Sequence, residues 1–225
     1  MDNEKKIIAS WAANAANWIE VIDCNGIESR KLITNKAIVD IVCSSNPASV
    51  LDVGCGEGWL AKELFEKGID ISGIDVIPEL IARAKEKVIG DFKIASYEDI
   101  ADGKITFPKL FDAVVINFAL IAKESTANLL AALPRYLVPG GKLFIQTLHP
   151  HSRKFFDDYT TGWKEGSWDG LGEQFTLPYQ WYFRTLEDWL ALLSESGYSN
   201  IKITEMLHPV SAKQLSVIFE CDCNN

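Results

Sequence analysis

The chain has 225 residues, 48% of them hydrophobic and 24% charged, which is ordinary globular usage and excludes disordered, collagen-like and low-complexity classes. One core domain with an appendage is expected at this length, and a multidomain assembly is not. Against 22 Lys and Arg stand 31 Asp and Glu, a formal charge of -9 that repels phosphate backbones and anionic lipid, so neither nucleic acid nor a membrane surface is an expected partner.

Cys24, Cys43, Cys55, Cys221 and Cys223 contain no CxxC pair, and no histidine stands at ligand spacing from them, so free thiols in a reducing cytoplasm and no metal centre are expected. The first residues lack a signal-peptide apolar core, and no apolar run approaches the length of a membrane span.

In chain order, Ile7, Trp11, Ala15, Trp18 and Ile22 recur at helical spacing and predict an amphipathic helix with an aromatic stripe. A second helix is predicted over 29–44, stopped by Asn46-Pro47. Strand and helix then alternate. Strands are predicted over 49–53, 70–75, 91–96, 111–117 and 142–148, and helices over 59–67, 78–88 and 124–137. The strands are nearly continuous apolar runs, as in a parallel sheet covered on both faces. After a helix opened by Thr185, two closing strands over 200–206 and 212–221 are joined too tightly for a crossover and must be antiparallel. The expected fold is a doubly wound α/β domain, with residues 1–45 as a helical cover and 46–225 as the main domain.

Between His149-Pro150 and Arg184 the periodicity stops. Ten aromatic residues crowd this stretch: Phe155, Phe156, Tyr159, Trp163, Trp168, Phe175, Tyr179, Trp181, Tyr182 and Phe183. A long aperiodic segment rich in rings predicts an ordered lid inserted over 150–184.

Chemistry concentrates in Val50-Leu51-Asp52-Val53-Gly54-Cys55-Gly56-Glu57-Gly58-Trp59. A glycine turn between strand and helix lets a ligand approach bare backbone amides. Asp75, at the end of the next strand, is placed to accept ribose hydroxyls. The dinucleotide fingerprint would want a small residue where Trp59 stands, which disfavours a nicotinamide-dependent oxidoreductase. VLDVGCGEG followed by GID resembles the class I S-adenosylmethionine-dependent methyltransferases, in particular the small-molecule branch that includes the ubiquinone-biosynthesis type.

That resemblance implies a seven-stranded, mostly parallel sheet of order 3-2-1-4-5-7-6, S-adenosylmethionine as cofactor and a small-molecule methyl acceptor. It also implies that Gly54, Gly56 and Gly58 line the methionine and ribose portions, with Cys55 in the turn for fit. Asp75 would hold the ribose, Val76 the adenine face, and Ser96 and Tyr97 the adenine edge, although relatives often carry Asp where Ser96 stands. Asn117 and Phe118 would lie beside the methionine, and Arg30 would pair with its carboxylate. A non-catalytic module that keeps the nucleoside site is the alternative function.

Transfer from a sulfonium needs alignment and water exclusion, and a base only where the acceptor must lose a proton. His149 and His208 follow strands at the ligand-binding edge and are candidate bases or acceptor ligands. His151, Trp181, Tyr182 and Arg184 are candidate acceptor contacts, Arg184 for an anionic group.

Overall fold

A computed structural model describes residues 2–152 and 159–223. Phe155 and Phe156, assigned above to the lid, lie outside the described residues. The N-terminal stripe forms two helices, α1 (Asn3–Ala13) and α2 (Ala15–Asp23). They break at buried Asn14, whose side chain donates to the carbonyls of Ser10 and Thr176 and accepts from the Thr176 amide. An interior side chain that bonds backbone competes with the helix's own ladder. Here it joins the cover to the aromatic segment. A π-helical turn, Arg30–Thr34, precedes α3 (Asn35–Ser44).

The alternation then runs β1 (Ser49–Val53), α4 (Trp59–Phe65), β2 (Asp70–Asp75), α5 (Pro78–Lys87), β3 (Asp91–Ile94), α6 (Tyr97–Ala101), β4 (Phe111–Asn117), α7 (Glu124–Ala132) and β5 (Leu137–Leu148). Beyond it come a short antiparallel ribbon of β6 (Gly162–Lys164) and β7 (Trp181–Phe183), then α8 (Leu186–Glu195), β8 (Tyr198–Leu207) and β9 (Gln214–Cys223). The seven-stranded sheet has the order β3-β2-β1-β4-β5-β9-β8. Strands β1 to β5 are parallel, and β9 runs antiparallel to both β5 and β8. The implied order and the antiparallel closing pair are both observed.

Successive residues of each strand face opposite layers. Val50, Ala113, Val115, Phe144 and Ile218 pack beneath α3, α4 and α5. Leu51, Val114, Ile116, Ile145 and Phe219 pack beneath α6, α7 and α8. Helix α6 was not expected. Its signal is the reciprocal cap in which the Ser96 hydroxyl accepts from the Asp99 amide while the Asp99 carboxylate takes the Ser96 amide, each at 3.1 Å. The helix predicted over 124–137 ends instead in a 3-10 turn at Leu133–Tyr136, where Pro134 removes an amide. Strand β5 then starts five residues earlier than the predicted 142, through Pro139-Gly140-Gly141, with a shift in register against β4.

Candidate active site

The parallel order puts the ends of β1, β2 and β4 along one edge, where a doubly wound sheet binds ligands. A cavity of about 440 Å³ opens there and extends beneath α1 and the aromatic segment. Arg30, Gly54, Cys55, Gly56, Asp75, Val76, Ser96, Tyr97, Asn117, Phe118, Trp181, Tyr182 and Arg184 line it.

The glycine turn carries positive φ at Gly54, Gly56 and Gly58, a region that glycine enters without steric cost. The three differ in what they face. A Cβ on Gly54 would lie 2.5 Å from Ala119 Cβ, whereas one on Gly56 would enter open cavity, its nearest neighbour Trp18 Nε1 at 3.9 Å. Gly58 corrects the expectation above: it is buried away from the cavity, where a Cβ would lie 2.9 Å from Cα and Cβ of Ala84 in α5. Its smallness serves helix packing and not ligand approach.

Asp75 Oδ2 accepts from the Gly56 amide at 3.0 Å and Oδ1 from the Ile77 amide at 2.9 Å, so the carboxylate is fixed with a lone pair to spare on each oxygen. Burial pushes its pKa up to about 6 against those amide bonds, and nearby Glu57 pushes in the same direction. Asp52, on β1 beneath the turn, is raised well above the carboxylate range by burial and by Glu57 and Asp75. The buried Cys55 thiol is pushed up by burial and then by these carboxylates, which keeps it a protonated, inert group.

Arg30 lies over Trp59, 4.6 Å from guanidinium to ring centre, and over Trp18 at 5.8 Å. Its Nε donates to Asn35, and its buried Nη2 has no partner within the protein. Burial lowers its pKa to about 10, with the Glu57 charge opposing. Asn117 Oδ1 is likewise buried without a partner. Ser96 is occupied by its cap with Asp99, which takes its hydroxyl out of the role expected at the adenine edge. The Tyr97 hydroxyl donates to the Ala119 carbonyl at 3.0 Å, and its backbone amide stands in the first turn of α6, where helix amides lack an intrahelical acceptor.

The histidines are corrections. Among the described residues none lines the cavity. His149 is buried, its Nδ1 accepts from the His151 amide at 3.1 Å, and its Nε2 lies 2.7 Å from Glu205 Oε1. An acceptor Nδ1 leaves the proton on Nε2, donated to Glu205. Burial lowers the His149 pKa, and Glu205 opposes that shift. His151 is exposed and stacks on Tyr159 at 4.7 Å. Ligand atoms of His149, His151 and Glu205 lie within 4.8 Å of one another, with His149 bonded to Glu205 and to the His151 amide. His208 Nδ1 accepts from the Val210 and Ser211 amides at 3.2 Å, a turn contact far from base chemistry. Satisfied turn histidines next to proline explain the pattern better than a convergent base.

Arg184 corrects the expectation of an anion partner. It is 6% exposed, donates through Nη1 to the Ala122 carbonyl at 3.0 Å and through Nη2 to the Lys123 carbonyl at 2.9 Å, and stacks on Tyr182 and Trp189. Burial lowers its pKa to about 10, opposed by Tyr182 and Glu4. Trp181 and Tyr182 do border the cavity.

Sequence reasoning missed Glu57, which is 1% exposed and accepts from Trp18 Nε1 at 3.2 Å, tying α2 to the glycine turn. It also missed Trp11, Trp18, Trp59 and Glu98 as cavity walls. The acidic and aromatic residues inside and opposite the turn motif were visible, but their facing was not.

A family model described as a methyltransferase domain matches residues 34–203. The ubiquinone biosynthesis O-methyltransferase of Xanthomonas oryzae pv. oryzae (strain PXO99A) is 36% identical over 107 residues, 45% of this chain and 44% of that protein. Its counterpart from Xylella fastidiosa (strain M23) is 34% identical over 111 residues, 47% of this chain and again 44% of the relative. The match thus spans under half the length of these relatives. Among solved structures, the 1,6-didemethyltoxoflavin-N1-methyltransferase of Burkholderia thailandensis superposes with a TM-score of 0.69 at 14% identity, covering 100% of this chain and 92% of that one. An S-adenosylmethionine-dependent methyltransferase from Clostridium acetobutylicum gives 0.65 at 14% identity, over 93% and 98%. At that identity the likeness is one of fold. The family model covers well over half of the sequence and includes the glycine turn and Asp75, so the chain belongs to the methyltransferase domain family.

Proposed function

We propose that the protein transfers a methyl group from S-adenosylmethionine to a small-molecule acceptor. The observation that carries this is the meeting, in one cavity, of a bare glycine turn, an amide-anchored Asp75 and two buried polar atoms without partners, Arg30 Nη2 and Asn117 Oδ1. A nucleoside carrying an amino-acid tail fits that set. Asp75 would accept both ribose hydroxyls, the open face of Gly56 would admit the chain beside the ribose, and Val76 with Ile77 and Leu80 would supply an apolar wall for the base. Arg30 would take the tail carboxylate and Asn117 Oδ1 its ammonium. The Burkholderia structure, with 1,6-didemethyltoxoflavin and S-adenosylhomocysteine bound, supports the pairing of such a donor with a small-molecule acceptor on this fold.

The cofactor supplies an already activated methyl group on a sulfonium with a neutral leaving group. What remains for the chain is to hold the two reactants in line and keep water out, and such alignment contributes ~7–11 kcal/mol in favourable cases. Trp18, hydrogen-bonded to Glu57, and Trp59, under Arg30, wall the donor end. The aromatic segment would close the acceptor end as a lid. No histidine among the described residues is positioned to take a proton from the acceptor, so the reading includes no histidine base.

No helix among the described residues is long and apolar enough to cross a membrane. Five cysteines with no CxxC pair support a reducing, cytoplasmic setting, and the acidic balance supports an acceptor that is not nucleic acid. Isothermal titration tests the assignment: S-adenosylhomocysteine should bind the intact chain at one site, and a flat isotherm at micromolar protein would refute it. Transfer of labelled methyl to a metabolite extract then separates an enzyme from a binding module, which would label nothing.

A further inference from the structure

Resting on the donor assignment above, we infer that the acceptor half of the cavity takes an uncharged, flat, largely apolar molecule and rejects carboxylates and phosphates. The inference comes from what the walls have left to offer. Trp11 donates its indole N–H to the Tyr179 hydroxyl at 3.0 Å, Trp168 to the Ser10 hydroxyl at 2.9 Å and Trp181 to the Glu165 carbonyl at 3.2 Å. An indole has one donor, so each ring presents only carbon surface to a ligand. Trp168 stands edge-on to Trp11 at 4.9 Å and to Tyr179 at 5.5 Å, an arrangement of crossed rings against which another flat ring packs by offset or edge contacts.

Charge narrows the class further. Among the described residues, the cations bordering the cavity are Arg30 and Arg184. Arg30 sits between Trp18 and Trp59 at the donor end. Arg184 holds two backbone carbonyls and is covered on its faces by Tyr182 and Trp189, so turning it toward an anion would strand both carbonyls. From the described residues an anionic acceptor would therefore gain no counter-charge for the water it loses. Glu4 and Asp169 also border the cavity, and their sign repels anions as well. A protonated amine fails for a different reason: it has no lone pair with which to attack a methyl group on a sulfonium, and like charges would meet at the point of transfer.

The test titrates two probes that share one ring system, 2-naphthol (uncharged at pH 7) and 2-naphthoate, into the full chain, alone and saturated with S-adenosylhomocysteine. The expected result is at least tenfold tighter binding of 2-naphthol, weakened fivefold or more in Trp168→Ala while affinity for S-adenosylhomocysteine stays within twofold. Ile8→Lys places a cation on an exposed wall position and should move the preference at least fivefold toward 2-naphthoate, and it decides the matter if Trp168→Ala does not fold. Equal or tighter binding of 2-naphthoate by the native chain, or no binding of 2-naphthol by protein that binds S-adenosylhomocysteine, overturns the inference. An unmoved preference in Ile8→Lys overturns the charge argument. Binding of 2-naphthol without any binding of S-adenosylhomocysteine would instead remove the donor assignment and leave the apolar compartment standing.

Discussion

Gly58 and Ala84 are in backbone contact: a Cβ on the glycine would come within 2.9 Å of the alanine Cα, so the third glycine of the turn lets α4 and α5 approach while the second faces the open cavity. The two glycines should therefore fail differently. Gly58→Ala forces a shift of α5 and strains a residue at φ +85, a loss of about 1–3 kcal/mol in folding stability by denaturant titration. Gly56→Ala costs less stability, because its Cβ meets open space, but the methyl group enters the cavity and should weaken S-adenosylhomocysteine at least tenfold by calorimetry.

Asp75 binds ribose hydroxyls best as the anion, and its pKa in the free protein is about 6. Below that value a proton must leave before the ligand binds, so affinity falls as pH drops, about tenfold between pH 7 and pH 5. Asp75→Asn should lose ten- to a hundredfold in affinity, from ~1.5–3 kcal/mol for a hydrogen bond to a charged group, and show no inflection near 6. An inflection that survives in the variant assigns the titration elsewhere.

Arg30 is proposed to meet only the amino-acid tail. Arg30→Met should weaken S-adenosylhomocysteine ten- to a hundredfold and leave 5′-methylthioadenosine, which lacks the carboxylate, within twofold. Equal losses for the two ligands would mean that the guanidinium supports the Trp18 and Trp59 walls instead.

His149 is structural in this reading. Its pKa is lowered in the fold, so the unfolded chain takes up the proton first as pH falls. The contribution is therefore complete above the ordinary histidine value of ~6.5 and is lost as pH falls through the lowered one. His149→Gln should reduce stability by about 1–3 kcal/mol at pH 7.5 and flatten the stability profile below 6.5, with kcat and its pH profile unchanged once an acceptor is in hand.

Arg184→Met leaves the Ala122 and Lys123 carbonyls without their donors and empties the space between Tyr182 and Trp189. A stability loss of about 2–5 kcal/mol is expected in thermal or urea unfolding. Affinity for S-adenosylhomocysteine should stay within twofold, and a selective loss of binding would place Arg184 at the ligand.

The turn after β1, the acidic end of β2 and the alternation of apolar runs were legible in the sequence because each is a local object. A strand, three glycines and a helix start lie within some fifteen consecutive residues, and the pattern of burial along a strand follows from its two-residue period. Fold class, sheet order by resemblance, and the glycine turn and Asp75 that border the cavity came from these. The tertiary structure alone decided what faces what across long separations: Asn14 clasping Thr176, Glu4 capping the amides of Lys123, Glu124 and Ser125, Trp18 reaching Glu57, and Glu205 meeting His149. Whether a polar side chain serves a ligand or another part of the chain depends on which partner packing brings within about 3 Å. That is why His149, His208 and Arg184, plausible site residues by type, turned out to hold backbone and carboxylate groups already in place.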